Sequence, residues 1–191
     1  MSEKIYDYVV LGAGVAGSFV SYELRKHTKS LLLIDRNSDV GFGASGAAGA
    51  FLSPLLGKDN KFKSLITKAL KYSTNFYKES LPSLISDCGT CRIPKNDEDR
   101  QKFESYKPFM DFEYEELEDG YFFPVGSQVD SYEVCKALTK DIEKLLSYDV
   151  SKIEKVDGIW LINDEIKTKN LILTTGASID LIDEEYFNIR A

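Results

Sequence analysis

Gly12-Ala13-Gly14-Val15-Ala16-Gly17 lies between the run Tyr6-Asp7-Tyr8-Val9-Val10-Leu11 and the helix-like residues 15–26, and its reading decides the fold. The run before it is β-branched and aromatic and closes on glycine, so it reads as a buried strand. A second apolar run, Ser30-Leu31-Leu32-Leu33-Ile34-Asp35, follows the helix. Strand, glycine turn, helix and strand make a βαβ unit. In such a unit Gly12 permits the tight turn, Gly14 lets the backbone approach a pyrophosphate, and Gly17 lets the helix pack closely on the strand. The first amides of the helix, from Val15 and Ala16, then meet phosphate charge. Asp35 ends the second strand 18 residues after Gly17. There it accepts from ribose hydroxyls, and its charge repels a 2′-phosphate, which argues against NADP.

Residues 37–56 are rich in glycine, alanine and serine and read as a ligand loop rather than an amphipathic helix. The core of that loop is Gly43-Ala44-Ser45-Gly46-Ala47-Ala48-Gly49-Ala50-Phe51-Leu52-Ser53-Pro54. Side chains this small let backbone amides approach a diphosphate and a flat ring system. A helix is expected over 60–77, where Phe62, Leu65, Ile66, Ala69, Leu70, Phe76 and Tyr77 recur at three- and four-residue spacing. Leu81-Pro82 ends it. Residues 88–124 suggest short strands around one acidic helix, with Arg92-Ile93-Pro94 and Tyr121-Phe122-Phe123-Pro124 at strand ends. A further helix is expected over 131–146, with Val134, Leu138, Ile142 and Leu145 inward. Strands are expected over about 148–156, 158–162 and 170–174, and Asp157-Gly158 turns the first onto the second.

The 191 residues are 43% hydrophobic and 29% charged, an ordinary globular composition. Acids near the N-terminus and the lack of an apolar run approaching ~20 residues argue against a signal peptide or a membrane span. A cytoplasmic location and reduced Cys88, Cys91 and Cys135 are therefore expected. The net charge of −7 is concentrated in residues 97–119, where ten acids face Arg100, Lys102 and Lys107. An acidic total disfavours nonspecific nucleic-acid binding. The six lysines of residues 58–79 read as a solvated helix face. Cys88-Gly89-Thr90-Cys91 falls short of the four ligands of a structural zinc site, so no metal is expected. His27, the single histidine, sits near a helix C-terminus, where a positive charge complements the dipole.

With these residues in place, the chain resembles the D-amino-acid-oxidase-like FAD-dependent oxidoreductases. The resemblance implies an α/β architecture: a Rossmann-like FAD-binding domain, residues 1–56 and 125–191, with an inserted partial α+β substrate domain over 57–124. It implies FAD as cofactor, and Arg36, Ala44, Ser45, Ala48, Gly49 and Ala50 map onto cofactor-contacting positions. Ser147-Tyr148-Asp149-Val150-Ser151 resembles the strand whose valine, here Val150, holds the adenine through its backbone. Asn170-Leu171-Ile172-Leu173-Thr174-Thr175-Gly176-Ala177 resembles the strand returning to the FAD sheet, which adds Thr175 and Gly176.

Within the superfamily the run over 43–76 most resembles the oxidoreductase domain of the bifunctional tRNA 5-methylaminomethyl-2-thiouridine biosynthesis proteins. Glycine oxidase of thiamine biosynthesis is the runner-up. The implied substrate is a glycine-like amine or the carboxymethylaminomethyl group of a tRNA wobble uridine, oxidised at its C–N bond. No residue reads as a general base, and the usual arginine partner of a substrate carboxylate would lie beyond residue 191. Family members continue for roughly as many residues again, so the C-terminal half of the fold is expected to be missing. A truncated nucleotide-binding piece without turnover is the rival reading. On either, the helix around Leu65 and the sheet near Ile172 should leave apolar surface. A nicotinamide-dependent dehydrogenase is a further alternative, which the second small-residue loop disfavours.

Overall fold

The computed structural model describes residues 4–177 and Leu181. Along the chain come β1 (Ile5–Leu11), α1 (Val15–Leu24), β2 (Leu31–Ile34) and the single turn α2 (Ala44–Ala47). Next are β3 (Phe51–Leu52), α3 (Lys63–Ser80), β4 (Ile85–Ser86), β5 (Thr90–Arg92), α4 (Asp97–Tyr106), β6 (Glu115–Leu117), β7 (Gly120–Phe123) and β8 (Ser127–Val129). The last elements are α5 (Ser131–Thr139), β9 (Glu143–Leu145), β10 (Ile153–Val156), β11 (Ile159–Ile162) and β12 (Ile166–Leu173). They form two units: the described residues up to Ala48 together with those from Ser131 onward, and Gly49–Asp130.

The first unit is α/β. Its six-stranded sheet runs β10-β11-β12-β1-β2-β9. The pairs β12–β1, β1–β2 and β2–β9 are parallel, and the β10–β11 and β11–β12 pairs are antiparallel. Register aligns Leu11 with Leu173 and with Ile34, and Ile34 with Leu145, so four parallel strands finish at one edge. That is the edge where open α/β sheets take their ligands.

From Val9 onward in β1, and along β2, side chains alternate across the sheet as the pleat demands, while Tyr6 falls on the Val9 side because the Asp7 and Tyr8 amides both meet the Ser30 carbonyl. Val10, Leu31 and Leu33 join Ala13, Val40, Cys135 and Ile142 in one apolar cluster. Tyr6, Val9, Leu11, Leu32 and Ile34 join Ile162 in another. The inward residues of α1 are small, Gly17, Ser18 and Ser21, which lets this helix sit low on its neighbours.

The second unit holds two three-stranded antiparallel sheets, β3-β8-β4 and β5-β7-β6. Asn96 caps α4 by accepting from the Asp99 amide at 2.9 Å, and Asp97, Glu98 and Asp99 fill its first turn. Part of the acidic surplus thus complements a helix dipole.

Several sequence expectations need correction. The helix expected over 131–146 stops at Thr139, because residues 143–145 pair with β2 as β9. Lys144 Nζ donates to the Thr139 and Ile142 carbonyls at that break. Apolar spacing at 138, 142 and 145 suits a helix and equally suits a turn followed by a strand. The strand expected from residue 148 begins only at Ile153, and the one expected over 170–174 spans Ile166–Leu173. The Asp157-Gly158 turn stands, with both residues at positive φ between β10 and β11.

In α3 the buried residues are Lys63, Leu70 and Tyr77, seven apart, whereas Leu65 is 64% exposed and Phe62 and Ile66 are also exposed. Lys63 is buried along its whole length, Nζ included, and Nζ lies 3.3 Å from Asp59 and 3.4 Å from Asp111, so the charge goes in beside two carboxylates. Exposed Leu65 agrees with the expected apolar surface; Ile172 is half-buried. By compactness the units divide at 48/49 and 130/131, which keeps the paired β3 and β8 together. In sequence, Asn188-Ile189-Arg190-Ala191 reads as the entry to another strand, and it lies outside the described residues.

Burial sets an expected contrast. Leu138→Ala, at a position 1% exposed, should cost about 2–5 kcal/mol, while Leu65→Ala should stay within about 0.5 kcal/mol. Urea unfolding of both variants checks this, and equal losses would contradict the assigned faces of α5 and α3.

Candidate functional site

The site begins where β1 turns into α1. Gly12 has φ +100°, and a Cβ there would lie 2.4 Å from the Thr174 carbonyl oxygen. A Cβ on Gly17 would lie 1.8 Å from the Gly12 carbonyl oxygen and 2.7 Å from Thr174 Oγ1. Only glycine fits at either position. Thr174 Oγ1 sits 2.8 Å from both the Leu11 and Gly12 carbonyl oxygens, so the end of β12 closes over the turn.

Helix geometry leaves the amides of Gly14, Val15, Ala16 and Gly17 without intrahelical acceptors. The Val15 amide donates to Ser45 Oγ at 2.9 Å. A Cβ on Gly14 would come 2.9 Å from the same hydroxyl. Val15 and Ala16 are exposed, so the positive end of α1 is open at the strand edge. Amides and a hydroxyl are the donor set a diphosphate requires.

Asp35 follows β2 directly. Its Oδ2 accepts from the Ala13 amide at 2.6 Å, and its Oδ1 accepts from the Asn37 amide at 2.8 Å and from Asn37 Nδ2 at 2.9 Å. A carboxylate has about four acceptor positions. Three are taken, which leaves one on Oδ2 for a ribose hydroxyl. Asp35 also joins two strands: its amide donates to the Leu145 carbonyl at 3.1 Å and its carbonyl accepts from the Tyr148 amide at 3.0 Å.

The small-residue loop is pinned to α5. Ser131 Oγ donates to the Ser45 carbonyl at 2.6 Å, and Tyr132 OH donates to Asp39 Oδ2 at 2.6 Å. The Tyr132 hydroxyl, helped by the Val40 amide, holds the Asp39 carboxyl below its ordinary value, and the same bond raises the Tyr132 phenol.

Ser45 thus meets the Val15 amide, Gly17 lies tight against Gly12, and Asp35 reaches the same turn through Ala13. Arg36, Ala44 and Ala48 lie exposed on the same loop, and Gly176 is exposed just beyond β12, next to half-buried Thr175. Gly49 and Ala50 belong to the second unit, immediately before β3. Val150 is not in a strand; it lies in the irregular connection before β10, with its side chain against the Tyr6, Val9 and Leu32 cluster.

Asn37, Ser131, Tyr132 and Thr174 hold the site together and were not singled out from the sequence. Thr174 carried a signal, a hydroxyl residue where an apolar strand meets a glycine; the other three had none. A recess of about 570 Å³ in the second unit is lined by residues 110–115 and Pro124 and contains none of the expected cofactor residues. Among the described residues no group of three or more His, Cys, Asp or Glu is placed to hold a metal ion. No described helix is long and apolar enough to cross a membrane.

A glycine-gated turn, a helix N-terminus and a strand-end acid at the carboxyl edge of a parallel sheet define a dinucleotide-binding α/β protein. The model of the FAD dependent oxidoreductase family, DAO, matches residues 7–190, and the chain belongs to that family. Its members are FAD enzymes. The tRNA 5-methylaminomethyl-2-thiouridine biosynthesis bifunctional protein MnmC of Legionella pneumophila (strain Corby) is 25% identical over 201 aligned positions, covering 92% of this chain and 30% of that protein.

Two solved structures share the fold. Glycine oxidase from Geobacillus kaustophilus superposes with a TM-score of 0.73 at 17% identity, over 91% of this chain and 56% of that one. L-alpha-glycerophosphate oxidase from Mycoplasma pneumoniae with FAD bound gives 0.68 at 18% identity, over 86% and 52%. The chain therefore spans less than a third of the length of the MnmC relative and about half that of the oxidases.

The Asp39–Tyr132 brace generates a pH test. A folded-state carboxyl value below the ordinary 3.8 adds stability that is present above that value and is lost as pH falls through the depressed one. Tyr132→Phe should therefore be less stable than wild type at pH 7, with the gap closing as the pH falls below 3.8. Urea unfolding across that range checks it; a gap that does not change with pH would refute the brace.

Proposed function

We propose that the carboxyl edge of the first unit holds the adenosine diphosphate part of FAD, and that the protein oxidises the C–N bond of a glycine-like amine. The observation that carries the reading is the seat at Gly12 and Gly17, which opens the N-terminus of α1 beside a carboxylate with one acceptor position left. FAD supplies the electron-accepting chemistry, taking two electrons from the carbon beside the amine nitrogen.

The chain's own residues bind and orient. The amides of Gly14, Ala16 and Gly17 and the Ser45 hydroxyl face the diphosphate, and Asp35 takes a ribose hydroxyl. Arg36, Ala44, Ala48, Gly49, Ala50, Thr175 and Gly176 complete the proposed contacts, and Val150 meets the adenine. The anionic Asp35 disfavours a 2′-phosphate, which sets this site against NADP. Similarity to MnmC supports the carboxymethylaminomethyl group of a tRNA wobble uridine as substrate, and the glycine oxidase fold supports a free small amine. A second reading is nucleotide binding without amine turnover, for which the same seat at Gly12, Gly17 and Asp35 suffices.

One experiment separates these readings. The purified chain should take up FAD. Anaerobic addition of glycine, sarcosine or tRNA bearing carboxymethylaminomethyluridine then either bleaches the flavin, which supports amine oxidation, or leaves it oxidised, which supports the second reading. No uptake of FAD contradicts both.

Two variants probe the binding itself. Gly14→Val should abolish FAD retention, since its side chain enters the space of Ser45 Oγ and of the approaching diphosphate; wild-type flavin content after gel filtration would contradict this. Asp35→Ala should weaken FAD by about 1–3 kcal/mol, and an unchanged titration would remove Asp35 from the site.

A further inference from the structure

The 18 residues of α3 carry two stripes at helical spacing, and the more apolar of them faces outward. The inward stripe is Lys63, Thr67, Leu70, Thr74 and Tyr77. Of its polar atoms, Lys63 Nζ and Thr74 Oγ1 are buried without a hydrogen-bond partner among the described residues. The outward stripe is Phe62, Leu65, Ala69, Tyr72 and Phe76. Phe62 belongs to it because its carbonyl accepts from the Ile66 amide at 2.9 Å, which carries the helical pattern back to that residue. Phe62 is 55% exposed, Leu65 64% and Tyr72 70%; Ala69 is exposed as well, and Phe76 is half-buried. An amphipathic helix ordinarily turns its apolar stripe to its own core. A contiguous outward stripe marks a binding face.

Two features say what that face takes. The stripe advances by three, four, three and four residues, the repeat of about 3.5 residues with which one α-helix seats its side chains into another. Lys61 stands four residues before Leu65, and Lys68 stands three after Leu65 and four before Tyr72, so both border the stripe. Both are exposed and form no ion pair among the described residues. The other lysines of α3 are engaged within their own unit: Lys63 with Asp59 and Asp111, Lys71 over the Phe112 ring at 5.8 Å, and Lys78 with Asp87 at 2.9 Å. Carboxylates on an incoming helix complement Lys61 and Lys68.

A second copy of this chain fits poorly. An antiparallel pair of α3 helices centred on Ala69 matches Phe62 with Phe76 and brings Lys68 against its own counterpart, a like-charge contact. A parallel pair sets Lys68 beside Ser73, which carries no charge. The acidic helix α4 holds two aromatic residues, Phe103 and Tyr106, and Phe103 stacks on Tyr121 at 5.9 Å, so a second copy does not supply the helix there either. We infer that the outward face of α3 is a docking site for an amphipathic α-helix of another protein, with acidic residues flanking its apolar seam. No residue of this face belongs to the proposed cofactor seat.

The test uses the purified chain and two synthetic helical peptides of about three heptads with leucine at the seam positions, one flanked by glutamate and the other by lysine. Fluorescence anisotropy of each labelled peptide should show the glutamate peptide binding roughly tenfold more tightly than the lysine peptide. Leu65→Ser and Tyr72→Ser should each weaken it about tenfold, with melting temperatures at the wild-type value because both side chains are exposed. Lys68→Glu, which changes only a charge at an exposed position, should abolish the preference. Binding of neither peptide, or equal binding of both, overturns the inference, as does a preference that survives Lys68→Glu. Oligouridine bound by wild type and released by Tyr72→Ser would assign the face to RNA. A wild-type dimer in sedimentation velocity that Leu65→Ser dissociates would assign it to a second copy, and either result overturns the acidic helix.

Discussion

The tight approach of the Gly17 α-carbon to the Gly12 carbonyl is the constraint from which the site follows. A methyl group at residue 17 would stand 1.8 Å from that oxygen, so any side chain would lift α1 off the sheet edge. With glycine the helix comes down on small residues, Ser18 and Ser21. Its first amides, which lack intrahelical acceptors, then open at the ends of β1 and β2. Thr174 closes the same turn from β12, so three neighbouring strand ends converge on one peptide group.

Asp35 is the second joint, and its work is as much structural as chemical. One carboxylate ties the glycine turn through the Ala13 amide and orders the start of the ligand loop through Asn37. Its backbone meanwhile links β9 and the segment leading to Val150. A ligand that engages the remaining oxygen position meets an acid whose orientation is already set. That is preorganisation, and it lowers the ordering cost of binding.

The βαβ core was legible because its signals are local. Glycines at 12, 14 and 17, an apolar run on either side and an acid at 35 each carry a steric or electrostatic meaning without reference to anything distant. That the small-residue stretch forms no amphipathic helix, only the single turn Ala44–Ala47, was legible for the same reason. What failed was decided by tertiary partners. Residues 143–145 read as a continuation of α5, and became a strand because β2 had an edge to pair. Leu65 and Leu70 look alike in sequence, yet only Leu70 is buried, and Lys63 goes in where Phe62 stays out. Asn37 and Tyr132 matter through bonds to residues far along the chain or to backbone groups, and no periodicity announces those.

The central claim is that the amides at the start of α1 receive the diphosphate of FAD. Backbone amide NMR of isotope-labelled protein, recorded as FAD is added, tests it most directly. The account predicts that the Gly14, Ala16 and Gly17 resonances move downfield together, that ADP reproduces the movement, and that riboflavin, which lacks the diphosphate, does not. Shifts confined to other parts of the chain, or the same shifts with riboflavin, would contradict it.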